Sequence, residues 1–385
     1  MSEPAPPSAA PEKRGPPALS TRRLAWLLPL GLRVLFSVAA AALVPFLKLD
    51  PELVRANRLT DDLIPRSSAL YPVLGVWQRF DTLHYVEIAT QGYGRDRPEA
   101  IVFYPLYPVL IRGLATVGLS PLVAALLVAT LAAGAFFVGL ERLLALDHDE
   151  ARVRRALLFA AVWPPGFVLF AAYADSLVLA LVVWAVCLAR RERWAGAGAL
   201  GLLAGLAKAV GVLAAVPLLV LAWRSERRAR ALPGAALALL GPALYMGWLR
   251  AKGFPSIGEV YERHWATAVA PPWSTALVVL RELGSGNGAL LLNLALLALA
   301  LGVLLARRPR VELGLYCLAA LGLFFTKKTE PVLQSTGRYL LALFPIHASA
   351  AALSADERAF RVRLLVLLLL NLGLLYTFLE WSLIV

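Results

Sequence analysis

The residues best suited to chemistry lie in one polar and aromatic segment, Trp77-Gln78-Arg79-Phe80-Asp81-Thr82-Leu83-His84-Tyr85-Val86-Glu87-Ile88-Ala89-Thr90-Gln91-Gly92-Tyr93-Gly94. Residues three and four apart share a helix face. A helix here therefore aligns Trp77, Asp81, Tyr85 and Ile88 in one stripe, and Phe80, His84, Glu87 and Gln91 in the next. Gly92 and Gly94 supply a helix stop. One carboxylate is thereby bracketed by aromatic rings, with a histidine on the next turn. A carboxylate so placed can accept the proton of a sugar hydroxyl while flat rings stack on the sugar's C–H face. The same residues equally describe an interfacial helix whose Trp and Tyr side chains anchor at headgroup level, with Asp81 merely hydrated.

Further polar residues interrupt apolar sequence. Pro105 and Pro108, beside Tyr104 and Tyr107, make a rigid entry to a short helix that shapes a site rather than reacts. Asp175 stands at the start of an apolar run, as a second acid or as a helix-capping residue. Lys208 breaks the apolar stretch Ala195–Trp223, and Arg338 follows Lys327, Lys328 and Glu330. Cations in such places snorkel to the interface or hold lipid headgroups, or else they stabilise a departing phosphate whose charge grows as its bond breaks. Tyr261, Glu262, His264 and Trp265 are candidates for lining an acceptor site, although loop residues of this kind usually have no catalytic role. The adjacent Asp61 and Asp62 form only a weak metal site. No metal ligands are assigned and no cofactor is required, with a divalent metal left as an open option.

Composition dictates the elements that must position these groups. The 385-residue chain is 59% hydrophobic and 16% charged, against about 45–50% and about 25% in soluble domains. A span takes about 20 apolar residues, and eleven apolar runs cover roughly 24–46, 121–146, 156–173, 176–189, 195–207, 209–223, 232–249, 288–306, 311–325, 339–354 and 364–383. The expectation is an all-α polytopic membrane bundle. Residues 1–20 read as a disordered cytoplasmic tail, 21–385 as one transmembrane domain, and the first span as retained rather than cleaved. Basic clusters at 152–155, 190–193, 224–230, 307–310 and 358–363 all fall on the cytoplasmic side if 195–223 is a hairpin turning near Lys208. The N-terminus is then inside and the C-terminus outside. The outer face carries loops of about 48–120, 251–287 and 326–338, the first with eight basic and eight acidic residues. Residues 101–119 are taken as an interfacial helix of that first loop.

The net charge of +13 is thus an orientation signal, which removes a nucleic-acid partner. Cys187 and Cys317 lie inside apolar runs and act as small hydrophobes. Ionisable groups gather in loops on one face rather than at mid-membrane, as suits a substrate presented at the bilayer surface.

The segment Trp77…Phe80-Asp81-Thr82-Leu83-His84-Tyr85…Ile88-Ala89…Gly92-Tyr93, followed by Phe103-Tyr104-Pro105-Leu106-Tyr107-Pro108, resembles the first-loop signature of the PIG-V-type (GPI mannosyltransferase 2-like) mannosyltransferases. These belong to the GT-C superfamily of membrane glycosyltransferases. The family segment reads approximately W-D-[AS]-x-[HW]-[FY]-x-x-I-A-x-x-G-Y, then F-F-P-L-x-P. This chain departs from it by carrying Arg79-Phe80 before Asp81, with the tryptophan four residues earlier. Tyr173-Ala174-Asp175-Ser176 resembles Y-[ST]-E-S with aspartate for glutamate, and Lys208 falls where the family usually has arginine followed by Asn-Gly. Arg338-Tyr339…Phe344-Pro345 resembles R-Y-x-x-x-x-F-P. The likeness covers roughly residues 70–350.

The resemblance implies a GT-C bundle of about eleven helices in the bacterial plasma membrane with an extracytoplasmic site. It implies inverting transfer of a sugar, mannose, from a polyprenyl-phosphate donor to a glycan or glycolipid acceptor, with membrane lipids as further partners. Asp81 is then the general base, Lys208 and Arg338 hold the donor phosphate, and Trp77, His84, Tyr85, Asp175 and Tyr339 bind substrate. Arg338 is favoured over Lys327 and Lys328 because it adjoins Tyr339 in the recognisable segment. The rival is a transporter or lipid flippase, which would show paired repeats and broken helices meeting at the midplane; no internal repeat is present in the sequence.

Overall fold

A computed structural model describes residues 19–59 and 62–382, so the expected tail lies outside the described residues except for its last two positions. The chain is mostly helical. Among the described residues, five helices are long and apolar enough to cross a membrane: Thr21–Phe46, Pro121–Leu144, Arg228–Ala251, Gly288–Ala306 and Glu357–Leu379. The shortest has 19 residues, about 28 Å at 1.5 Å per residue against a hydrocarbon core of about 30 Å. The first helix shows how such elements are faced. Ala25, Pro29, Leu32, Phe36 and Ala40 turn inward, while Trp26, Leu30, Val34 and Val38 form an exposed apolar stripe. An outward face of that kind is compatible with lipid and not with water. Polar caps set the starts: Ser120 accepts from the Val123 amide ahead of Pro121, and Asn287 accepts from Ala289 and Leu290.

Shorter apolar helices fill the centre: Asp175–Ala189, Trp194–Ala207 and Val311–Phe325. Two of the eleven expected spans are interrupted. The run 156–173 is helical only as Glu150–Val162, because Pro164 and Pro165 cannot donate to a ladder and bias the preceding residue away from helix. The irregular stretch that follows is buried, and its carbonyls are met by side chains: Asn371 Nδ2 donates to the Trp163 oxygen at 2.7 Å and Arg33 Nη1 to the Phe170 oxygen at 2.7 Å. Such backbone is tolerated at depth only inside protein. The run 339–354 is likewise divided, into Thr336–Tyr339, a 3-10 turn Leu340–Ala342 and Ile346–Ala352 after Pro345. Within 101–119 the helix is Leu106–Ala115, ten residues or about 15 Å, half of what a crossing needs.

Lys208 breaks the Ala195–Trp223 stretch as expected. Trp194–Ala207 ends there, Lys208 is extended at φ −163° and ψ 150°, and a 3-10 turn Ala209–Ala214 leads back into Ala215–Arg224. Gly211 makes the reversal tight, since a Cβ there would lie 1.9 Å from the Ala204 carbonyl oxygen. The helices also sort the charges. Arg190 and Arg310 both bind Asp147, at 3.0 and 2.6 Å; Arg155 meets Glu357 at 3.4 Å and Arg154 the Leu19 carbonyl at 2.6 Å. The basic clusters therefore gather at one end of the bundle. Asp175, Lys208 and Lys327 lie beyond the opposite ends of the helices that carry Arg190, Arg193 and Arg310, about 20 Å away.

Among the described residues there is also one antiparallel ribbon, Thr267–Val269 paired with Lys327–Thr329 in the register Val269↔Lys327. The ribbon is a small addition to the helical fold that the sequence leads one to expect. Three-residue strands carry no readable alternation, and their pairing joins loops some sixty residues apart.

Replacing Gly211 by alanine should destabilise the protein by about 1–3 kcal/mol, because backbone must move to admit the methyl group. Gly113→Ala, in open space, should be neutral or slightly stabilising. Thermal melting of both variants in detergent checks this, and an unchanged midpoint for Gly211→Ala would contradict the packing described.

Candidate functional site

Asp81 is set in place by a strained residue. Phe80 has φ 46° and ψ −121°, a conformation costing on the order of 1–3 kcal/mol in a non-glycine residue. Its ring is held against Phe378 at 5.8 Å and Trp381 at 5.2 Å. The chain thereby turns so that Asp81 is the first residue of the helix Asp81–Gln91, where unpaired amides favour a carboxylate.

The same turn corrects the expected stripe. The helix does not extend back to Trp77, which sits in the preceding 3-10 turn, fully buried, between Phe378 at 6.2 Å and the Arg33 guanidinium at 5.1 Å. Trp77 is therefore a core residue and not a substrate platform. Arg79 is buried beside it, donating to Tyr71 at 2.9 Å and to the Leu379 carbonyl at 3.2 Å. These two residues lock the loop to the C-terminal helix.

Asp81 Oδ2 accepts from Arg338 Nη1 at 2.8 Å. Arg338 lies in the short Thr336–Tyr339 helix, anchored where the Gly337 amide donates to Asn293 at 3.1 Å, and its guanidinium is 5.3 Å from the Tyr173 ring and 5.6 Å from that of Tyr339. Lys208 Nζ donates to Asp175 Oδ1 at 2.6 Å. Two acid–base pairs thus stand side by side, and Asp175 Oδ2 and Arg338 Nε are buried without a hydrogen-bond partner. A third cation, Lys327, lies 5.0 Å from the Tyr339 ring centroid and 5.1 Å from that of Tyr261.

On the other side of Asp81 the wall is aromatic. His84 stacks on Phe103 at 4.5 Å with 16° between the planes, and Trp265 tilts over both at 5.2 and 5.5 Å. Burial lowers the His84 pKa from its usual value near 6.5, so the imidazole is neutral at neutral pH and belongs to the apolar face. Tyr85 stands edge-on to Phe103 at 5.1 Å and to Tyr107 at 4.9 Å.

Both walls bound one cavity of about 490 Å³, lined by Asp81, His84, Tyr85, Lys208, Arg338 and Tyr339 among the expected site residues. Asp175 does not line it. It lies behind Lys208, and its place is that of a partner that positions the ammonium. Sequence reasoning passed over Phe103 and Tyr173, and gave Tyr261 and Trp265 no firm role, although all four line the cavity. Tyr173 sits two residues before Asp175, and Phe103 two before Pro105, so only a motif-level signal marked either. Of the Asp61-Asp62 pair, Asp61 lies outside the described residues and Asp62 meets Arg58 at 3.4 Å. A separate apolar groove of about 910 Å³, lined by Val109, Leu131, Leu177, Leu181, Trp184 and Leu200 among others, runs along the helices that carry Asp175 and Lys208.

The two ion pairs should be separable by double-mutant cycles. Removing one partner of a buried pair strands the other charge. Asp175→Asn should cost on the order of 3 kcal/mol, and Lys208→Gln in the same chain should recover part of it. Asp81→Asn should cost less, since the Asp81 side chain is 18% exposed against 8% for Asp175. Melting of the singles and doubles checks both points: additive effects would refute the coupling, and a larger loss in Asp81→Asn would refute the ranking. Comparison with known proteins adds no relative: no family model, no curated protein and no solved structure matches the chain.

Proposed function

We propose that this chain is a membrane glycosyltransferase of the GT-C, PIG-V-like kind. It transfers a sugar, mannose by the resemblance, from a polyprenyl-phosphate donor to a glycan or glycolipid acceptor. The observation that carries this reading is the convergence of Asp81, Lys208 and Arg338 on one cavity whose other wall is aromatic. An ion channel or carrier has no need of a carboxylate poised between phosphate-binding cations and a stacking surface for a sugar ring.

The donor phosphate sits against Lys208 and Arg338, and the sugar against His84, Phe103 and Trp265. The acceptor hydroxyl attacks the anomeric carbon from the face opposite the phosphate. A new carbon–oxygen bond forms at that carbon, and its bond to the phosphate oxygen breaks, with the electron pair leaving on polyprenyl phosphate. The hydroxyl proton passes to Asp81. Attack from the opposite face inverts the configuration. Cations held in a low-dielectric cavity stabilise the growing phosphate charge without reorganising. The phosphate also competes with Asp81 for Arg338, which frees the Asp81 carboxylate to face the acceptor hydroxyl. The apolar groove along the helices of Asp175 and Lys208 suits the prenyl chain. The five long helices, with the shorter and interrupted ones, are compatible with the bundle of about eleven helices that the GT-C reading requires.

The cavity lies at the end of the bundle away from the basic clusters, which the positive-inside bias makes extracytoplasmic. Nucleotide sugars are cytoplasmic, so a site on that side is in keeping with a lipid-linked donor. The setting is the bacterial plasma membrane.

Purified protein should transfer mannose from polyprenyl-phosphate-mannose to a glycolipid acceptor, and Asp81→Asn should lower kcat by 10²-fold or more, the usual contribution of a general base. Equal rates in the two proteins would remove Asp81 from that role, and no transfer by wild type to any acceptor would remove the reading. Sidedness has its own test, because both native cysteines are buried. A membrane-impermeant maleimide should label Ser67→Cys in intact cells and Ala355→Cys only after permeabilisation, and the reverse pattern would turn the site to the cytoplasm.

A further inference from the structure

Among the described residues, the cavity holds more positive charge on its phosphate side than its carboxylates answer. Arg338 is engaged by Asp81 at 2.8 Å and Lys208 by Asp175 at 2.6 Å. Among the described residues no carboxylate meets Lys327, whose ammonium is flanked by the rings of Tyr339 and Tyr261 and meets the Tyr339 hydroxyl. Two aromatic faces and a neutral hydroxyl hold the ammonium without supplying a counter-charge. The remaining acid of the cavity lining, Glu99, belongs to the aromatic wall, where its backbone carbonyl accepts from Trp265.

The position of Lys327 is also built rather than incidental. It is the first residue of the ribbon strand Lys327–Thr329, held by the pairing with Thr267–Val269 and by the Ala270 amide donating to the Thr326 carbonyl at 2.8 Å. Alternation along a strand sends neighbouring side chains to opposite faces. Lys327 and Thr329 line the cavity, whereas Lys328 is exposed. Two adjacent lysines indistinguishable by charge are thus given different surroundings by a three-residue strand.

We infer that Lys327, held between Tyr339 and Tyr261, is the principal contact for the donor's phosphate, with Arg338 and Lys208 as its paired flanks. The ligand class is a phosphate esterified to an apolar chain. This assignment deepens the glycosyltransferase reading and rests on it for the identity of the donor, but the anion site can be tested without catalysis.

The test uses the full chain in detergent and farnesyl phosphate as a sugar-free probe, with farnesol and inorganic phosphate as separate arms, followed by calorimetry. Wild type should bind farnesyl phosphate with at least tenfold higher affinity than either farnesol or inorganic phosphate. Lys327→Gln should lose tenfold or more of that affinity, Lys327→Arg should keep most of it, and Lys328→Gln should match wild type. Unchanged binding in Lys327→Gln overturns the inference, as does equal loss in Lys328→Gln, which would mark a diffuse surface effect. Equal affinity for inorganic phosphate would overturn the lipid-linked class. Should Lys327→Gln fail to fold, loss of farnesyl phosphate affinity in Tyr261→Leu with retention in Tyr261→Phe supports the cradle, and wild-type affinity in Tyr261→Leu overturns it. Lys327-dependent binding without sugar transfer would sink the proposed activity and leave the anion site standing. Transfer with an unchanged donor KM in Lys327→Gln would do the opposite.

Discussion

The structure turns on the cost of holding charge in an apolar body. An isolated ammonium or carboxylate inside a bundle of this composition is expensive enough that it must be matched nearby or left out. Asp175 matches Lys208 and Asp81 matches Arg338, each through a contact under 3 Å. The partners in each pair come from parts of the sequence far apart, so the pairs tie the first loop to the C-terminal segment and one central helix to the hairpin tip. Among the described residues, Arg79 and Arg33, which have no acid beside them, are met by carbonyl oxygens instead, whereas Lys327 borders the open cavity with no carboxylate meeting it.

The backbone obeys the same constraint. Where Pro164-Pro165 and Pro345 interrupt helices, amides and carbonyls are freed inside an apolar body, and each must find a partner. Arg33 and Asn371 serve the stretch after Glu150–Val162 by donating to Phe170 and Trp163. Both belong to long helices, Thr21–Phe46 and Glu357–Leu379, whose polar residues otherwise have little reason to face inward. Arg33 in addition covers Trp77. For Arg33 and Asn371, a polar side chain within an apolar run marks irregular backbone next to it.

This separates what the sequence could disclose from what it could not. Helices such as Gly288–Ala306 and Val311–Phe325 were legible to the residue because length and hydropathy alone define them. The break at Lys208 was legible because a lysine among alanines and glycines has one economical place, at a turn. Asp81 and His84 were legible as members of neighbouring stripes of one helix, and both lie on Asp81–Gln91 and line the cavity. Trp77 was misassigned for the converse reason: a periodic stripe assumes one continuous helix, and the positive φ of Phe80 ends that assumption between Trp77 and Asp81. The ribbon was beyond reach, since three residues cannot show a period and its partner lies in another loop. Lys327 was visible as a charge on the outer face, but its orientation depends on that ribbon and could not be told apart from that of Lys328.

The spacing of three between Asp81 and His84 also accounts for how the cavity divides. Both side chains project from the first turn of one helix, about 100° per residue apart, so they face the cavity together yet meet different neighbours. Asp81 reaches Arg338 and the cationic side formed by Lys208 and Lys327, and His84 lies flat on Phe103 under Trp265. The junction between the charged and stacking walls is therefore a property of one helix turn, and neither wall can shift without moving it. Phe80, clamped by Phe378 and Trp381, fixes where that turn begins. The strain held in one backbone residue is thus what keeps a carboxylate at the boundary between a surface for anions and a surface for rings.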